Sequence, residues 1–224
     1  MYSYILIERP SIKISNPKDK TAAVTLTPFT NLIPQFREYL YMGFEIEIKV
    51  RVAALEPIED RLINDSAELI ADQDEHDIYY NAPHKDFAQT DEALRLRYVE
   101  NQKCGKIMPP CITYKGAKTG AEGFKAREEI IVDLSSGEEF SLMLERLGFR
   151  KTADVNKHRK IYRVQNAIVT LDRIDGVGVF SEIEADAGLS AEESMATINR
   201  LAEKYGITGD RLTKSYLEIV LESV

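Results

Sequence analysis

Phe44-Glu45-Ile46-Glu47-Ile48-Lys49-Val50 alternates apolar and charged side chains without a break. On a β-strand every second side chain lies on one face. Glu45, Glu47 and Lys49 therefore share a face that Arg51 continues, and Phe44, Ile46, Ile48 and Val50 share the other. Carboxylates suit a hard divalent cation, and Lys or Arg suits an anion. One such strand alone reads as an ordinary amphipathic strand with a wet face. The pattern recurs, however: Arg95/Arg97, Lys115, Arg127/Glu129, Lys157/Arg159/Arg163, Asp172 and Glu182/Glu184 put like-spaced charges on one face of further strands.

The elements that carry these residues are read in order. Residues 1–41, rich in Pro, Thr, Asn and Lys, are expected to be a poorly ordered N-terminal extension. Residues 42–224 are expected to form one domain. After the opening strand, Pro57 and the spacing of Ile58, Leu62, Leu69 and Ile70 predict a helix over 57–72. Strands are predicted over 77–80, 93–99, 111–115, 124–134, 149–164, 168–174 and 177–185, with a hairpin at Asp175-Gly176. Ser136 with Glu139 and Ser190 with Glu193 have capping-box spacing and open two helices; Gly148 ends the first, and the second runs to about Lys204. A last helix is expected within 213–221.

Composition narrows the function. A net charge of −8 in 224 residues argues against a general nucleic-acid or anionic-membrane binder. No apolar run approaches the roughly 20 residues of a membrane helix. Cys104 and Cys111 have no partners for a metal site and read as inert thiols, so a cytoplasmic, reduced setting is expected. His158 should face outward between Lys157 and Arg159, and His76 and His84 should be solvated. Arg51, Lys85 and Lys125 fit either a tunnel mouth or solvent.

About eight strands with a charged face could turn it to water as a flat sheet, or close on it. A barrel of roughly eight strands encloses room for side chains or one small ligand, and its apolar outside gives the helices a surface to pack on. The expected fold is therefore α+β: a closed eight-stranded antiparallel β-barrel, or tunnel, with a charged lumen and helices packed outside. Buried charges are costly unless paired or bound. An interior of both signs suits a chain of phosphates, gripped by Lys and Arg, with Mg2+ or Mn2+ held by the acids.

Glu45-x-Glu47-x-Lys49 resembles the ExExK signature of the CYTH superfamily, the triphosphate tunnel metalloenzymes. Asp77-Ile-Tyr-Tyr80, Arg95-Leu-Arg97, Thr113-Tyr-Lys115-Gly116, Arg127-Glu-Glu129, Lys157-His-Arg159, Leu171-Asp172, Glu182-Ile-Glu184 and Lys214-Ser-Tyr216-Leu-Glu218 resemble the family's later motifs in order. The similarity spans about 42–221 and is greatest to the class IV adenylyl cyclase branch. By that resemblance Lys49, Arg95, Arg97, Lys115, Lys157 and Arg159 would bind the triphosphate, and Glu45, Glu47, Asp172, Glu182 and Glu184 would hold Mg2+ or Mn2+. Lys49, Lys115 and Asp172 would be catalytic, and Arg127 and Glu129 would brace their neighbours. Two departures stand out: a 41-residue stretch precedes Met42, and Ile131 stands where an acid is often found. The resemblance implies conversion of ATP to cyclic AMP and pyrophosphate, or hydrolysis of inorganic, thiamine or nucleoside triphosphate. The charged motifs do not choose between them. The expected partner is a small-molecule triphosphate, with no nucleic acid and no membrane; a homodimer is left open.

Overall fold

The computed structural model describes residues 43–119, 125–186 and 188–223; of residues 43–45 and 125 it describes the backbone alone. The extension expected over 1–41 lies outside the described residues. The first half contains β1 (Gly43–Arg51), α1 (Glu56–Asn64), β2 (Glu68–Asn81), α2 (Phe87–Thr90), β3 (Ala93–Asn101), β4 (Lys106–Ile107) and β5 (Cys111–Lys115). The second contains β6 (Lys125–Asp133), α3 (Gly137–Arg146), β7 (Arg150–Val164), β8 (Ala167–Ile174), β9 (Gly178–Ala185), α4 (Ala191–Tyr205) and α5 (Tyr216–Glu222).

The strands run β2-β7-β8-β9-β1-β6-β5-β3, every neighbour antiparallel, and a β2–β3 ladder joins the two ends. The result is the expected closed eight-stranded barrel. The short β4 pairs with β3 alone and stays outside it.

The alternation dictates which face goes where. Ile48 and Val50 of β1, Val169 and Leu171 of β8, and Ile183 and Ala185 of β9 pack against Ile58 and Leu62 of α1 and Ile198, Leu201 and Tyr205 of α4. Leu144 and Phe140 of α3 cover Tyr80, Leu96 and Ile112. With the apolar faces turned out to the helices, the charged parity faces the lumen. There is one exception. Tyr79, Val155 and Phe180 share their strands' charged parity, yet cluster with Tyr216 and Ile219 of α5. They close one end of the lumen with apolar side chains.

Local chemistry fixes the helix ends. Ser190 Oγ accepts from the Glu193 amide while the Glu193 carboxylate accepts from the Ser190 amide, a full capping box. Ser215 and Glu218 repeat it on α5. Ser136 caps α3 from one side only, accepting from the Glu139 amide. Helix α4 ends on Gly206 at φ 68°. A Cβ there would clash with Arg61 Nη1, which donates to the Tyr205 carbonyl at 2.7 Å and ties α1 to the end of α4.

The helix expected over 57–72 is half right. Helix α1 stops at Asn64, Ser66 turns at φ 56°, and residues 68–72 already belong to β2. Leu69 and Ile70 mimicked a helical face by coincidence of spacing. Strand β2 is thus 14 residues long rather than the expected four, with a register irregularity between Leu69 and Ala71. His76 is accordingly a strand residue; its side chain is still partly exposed and meets Asp154 at 2.9 Å. His158 faces outward as expected, between Asp72 and Asp74.

Leu201 is fully buried where α4 meets the barrel. Leu201→Ala is expected to lower the unfolding free energy by about 2–5 kcal/mol, read by urea denaturation. A loss below about 1 kcal/mol would contradict this packing.

Candidate active site

The lumen is built from cross-strand charge pairs. On β2, Glu75 and Asp77 point inward and are almost wholly buried. Asp77 takes both arms of the Arg97 guanidinium, at 2.6 and 2.8 Å, and Lys157 Nζ at 3.1 Å. Glu75 meets Arg97 at 2.9 Å and Lys157 at 2.5 Å. The register explains this: Asp77 lies opposite Arg97 on β3, and Glu75 opposite Lys157 on β7. Arg95, the next inward residue on β3, stands 4.0 Å from Asp77 and donates to Thr113 Oγ1 at 3.1 Å. Its buried Nε has no hydrogen-bond partner.

A second group lies around β7, β8, β9 and β1. Arg159 clasps Asp172 through Nε at 2.6 Å and Nη2 at 2.5 Å, and reaches Glu182 at 2.6 Å. Glu182 pairs with Lys49 at 3.1 Å. Thr170 and Tyr216 also donate to Asp172, the latter at 2.6 Å. On β5 and β6, Lys115 pairs with Glu129. Arg127 donates to the carbonyls of Gly116 and Asp91, so it braces backbone. Arg51 lies outside this set, donating to the Val177 carbonyl at 2.9 Å and lying over Phe180. Lys85 pairs with Glu92, partly exposed.

Fields this close move pKa values. Burial pushes the Asp77 carboxyl up, but the charges of Arg97, Lys157 and Arg95 outweigh it and hold it well below the usual range. Glu75 is lowered in the same way, against burial, by Arg97, Lys157 and Arg159. Burial, aided by the Asp172 and Glu182 charges, raises the Tyr216 phenol well above the ordinary value, so it stays a donor. Glu75 and Asp77, the inward carboxylates of β2, therefore remain ionised at neutral pH.

Lys49, Arg95, Arg97, Lys115, Lys157, Arg159, Asp172, Glu182 and Glu184 all fall on lumen-facing positions of their strands, as does Glu47. Glu45 keeps the same parity and stands opposite Arg127, but its side chain lies outside the described residues. Glu75, Asp77, Thr113, Thr170 and Tyr216 complete the lumen and were not among the expected site residues.

The donor set can be tested against a divalent cation. Among the described residues, no group of three or more His, Cys, Asp and Glu gathers as a ready-made cage. The register instead places Glu47 directly opposite Glu184 and Lys49 opposite Glu182. Mg2+ typically takes one or two carboxylates and completes its shell with water and phosphate oxygens. A facing pair of glutamates beside a bank of Lys and Arg fits that cation, with phosphate supplying the rest.

A closed antiparallel barrel with a lumen of paired charges defines the class of fold. The chain belongs to the CYTH family: the CYTH domain model matches residues 43–216. It is 30% identical over 178 residues to a Methanocaldococcus jannaschii protein provisionally named an adenylate cyclase, covering 78% of this chain and 97% of that one. It is 25% identical over 185 residues to the adenylate cyclase CyaB of Aeromonas hydrophila, covering 81% and 91%. The solved structure of the PH1819 protein from Pyrococcus horikoshii superposes with a TM-score of 0.69 at 32% identity, covering 80% of this chain and 99% of that one.

The depressed carboxylates set a pH dependence. A carboxylate with a lowered pKa contributes stability that is complete above its unfolded value and is lost as pH falls towards its folded value. Unfolding free energy is thus expected to hold steady from pH 7 to 5 and to drop below about pH 4. Asp77→Asn should flatten that acid limb. It should also lower stability at pH 7 by about 3 kcal/mol, because Arg97 and Lys157 lose one of the two carboxylates they share and keep Glu75. Denaturant titrations across pH measure both; an unchanged acid limb would contradict the pairing.

Proposed function

We propose that the protein is a metal-dependent enzyme acting on a triphosphate drawn into the barrel, and that its reaction is that of a class IV adenylate cyclase: ATP to cyclic AMP and pyrophosphate. The observation that carries the reading is the bank of six Lys and Arg side chains inside a closed barrel, with the buried Nε of Arg95 lacking an acceptor. A buried donor without a partner is costly, and a phosphate oxygen would satisfy it. The names of the M. jannaschii and A. hydrophila relatives favour the cyclase over other triphosphate chemistry.

In this reading Lys49, Arg95, Arg97, Lys115, Lys157 and Arg159 take the phosphate oxygens, and Glu45, Glu47, Asp172, Glu182 and Glu184 hold Mg2+ or Mn2+. The cation, when bound, neutralises phosphate charge and favours ionisation of a nearby hydroxyl. The ribose 3′-oxygen forms a bond to the α-phosphorus, the bond from that phosphorus to the β-phosphate oxygen breaks, and the hydroxyl proton is lost to solvent. The chain contributes alignment and fixed positive charge where the pyrophosphate develops its own. Arg97 and Arg159, already clamped by Asp77 and Asp172, keep their orientation with or without ligand, so little reorganisation is needed.

Purified full-length protein with Mg2+ or Mn2+, given ATP and tripolyphosphate in separate reactions, is expected to release cyclic AMP and pyrophosphate from ATP. Orthophosphate without cyclic nucleotide would overturn the cyclase reading and make the protein a triphosphatase. Glu47→Gln and Glu184→Gln should each lower metal-dependent turnover by about 10²-fold or more with melting temperature preserved. Wild-type rates in either variant would reject the metal assignment.

A further inference from the structure

We infer that Tyr216, carried by the C-terminal helix α5, is a positioning residue of the lumen: it fixes Asp172 and Lys49 relative to each other. The inference rests on the triphosphate reading above.

The Tyr216 hydroxyl donates to Asp172 Oδ2 at 2.6 Å, and its ring lies 3.7 Å from Lys49 Nζ. One side chain thus touches both an inward carboxylate of β8 and an inward ammonium of β1. The contacts close a circuit. Tyr216 holds Asp172, Asp172 takes both arms of Arg159, Arg159 reaches Glu182 at 2.6 Å, Glu182 pairs with Lys49, and Lys49 returns over the Tyr216 ring. Lys49 Nζ also donates to the carbonyl of Lys214, two residues before Tyr216.

Each oxygen of the fully buried Asp172 is already engaged: Oδ1 by Arg159, and Oδ2 by Arg159, Tyr216 and, at 3.3 Å, Thr170. A carboxylate tied on both oxygens cannot swing. The tyrosine itself is held by an edge-on contact with Phe180, ring centroids 5.3 Å apart. Its helix is anchored by the Ser215–Glu218 capping box and by Lys118, which meets the Glu218 carboxylate at 2.8 Å. The Tyr216 side chain, through its hydroxyl and its ring, therefore orients two residues whose roles in turnover depend on orientation. Loss of the hydroxyl takes one donor from Asp172 Oδ2 and breaks the circuit at that point, while Arg159, Thr170 and the other phosphate-binding cations stay in place.

The test compares Y216F with I219A in the full-length protein. Ile219 belongs to the same buried cluster on α5, and no hydrogen bond ties its side chain to the lumen charges. Y216F is expected to lower kcat roughly tenfold or more, with KM within about threefold and melting temperature near wild type. I219A is expected to lower the melting temperature and leave kcat near wild type. Wild-type kcat in Y216F, equal kcat losses in the two variants, or a Y216F that does not fold would each overturn the inference. A wild-type protein inert towards every triphosphate would count against the proposed function instead. The geometry is then read by NMR: the Lys49 ε-protons should show an upfield ring-current shift in wild type and Y216F that disappears in Y216L. Its absence in wild type would overturn the positioning role.

Discussion

Charges of both signs are enclosed by a closed sheet, and every other feature of this structure answers to that constraint. Taking an ion out of water costs several kcal/mol even after relaxation, and its partner repays this only when geometry is good and further hydrogen bonds fill the remaining sites. The lumen meets both conditions on β2 and β8. Asp77 is met by Arg97 and Lys157, and Asp172 by Arg159, Thr170 and Tyr216. The pairs run across strands rather than along them, so each depends on register. A slip of one residue would turn Asp77 and Arg97 outward and Ile78 and Leu96 inward.

Closure also explains the outside. Strands with a polar inner face must bury their apolar face against something else, and α1, α3 and α4 supply it. The hydrophobic core of this protein is therefore a shell around the barrel. Helix α5 differs from the other helices. It presents Tyr216 and Ile219 to Tyr79, Val155 and Phe180 at one end of the lumen, where the strands switch from charged to apolar on their inward parity. Apolar closure at that end lowers the local polarity around Lys49 and Asp172 and so strengthens the fields that act there.

Much of this was legible in the sequence because alternation survives folding intact. Strand β1 and the first half of β3 alternate apolar and charged residues, and β8 and β9 set Asp172, Glu182 and Glu184 against Leu171 and Ile183, so their inward charges could be named from parity. Strand β2 could not be read this way. In Asp72-Gln73-Asp74-Glu75-His76-Asp77 both parities are polar, since the outward residues are themselves engaged: Asp72 and Asp74 with His158, and His76 with Asp154. With no apolar partner to mark the faces, Glu75 lay outside the predicted strand and Asp77, although part of a quoted motif, was not placed in the site, yet the two anchor half of the lumen. Tyr216 was hidden for a different reason. Its place in the site comes from where α5 docks, and no local spacing encodes docking.

The central claim is that the paired charges of the lumen are a triphosphate site. A crystal structure with Mn2+ and an ATP analogue that cannot be cleaved tests it most directly. The account predicts phosphate oxygens among Lys49, Arg95, Arg97, Lys115, Lys157 and Arg159, with one meeting the Nε of Arg95, and Mn2+ density against Glu47 and Glu184. An analogue bound on the outer surface, with the lumen free of phosphate and metal, would contradict it.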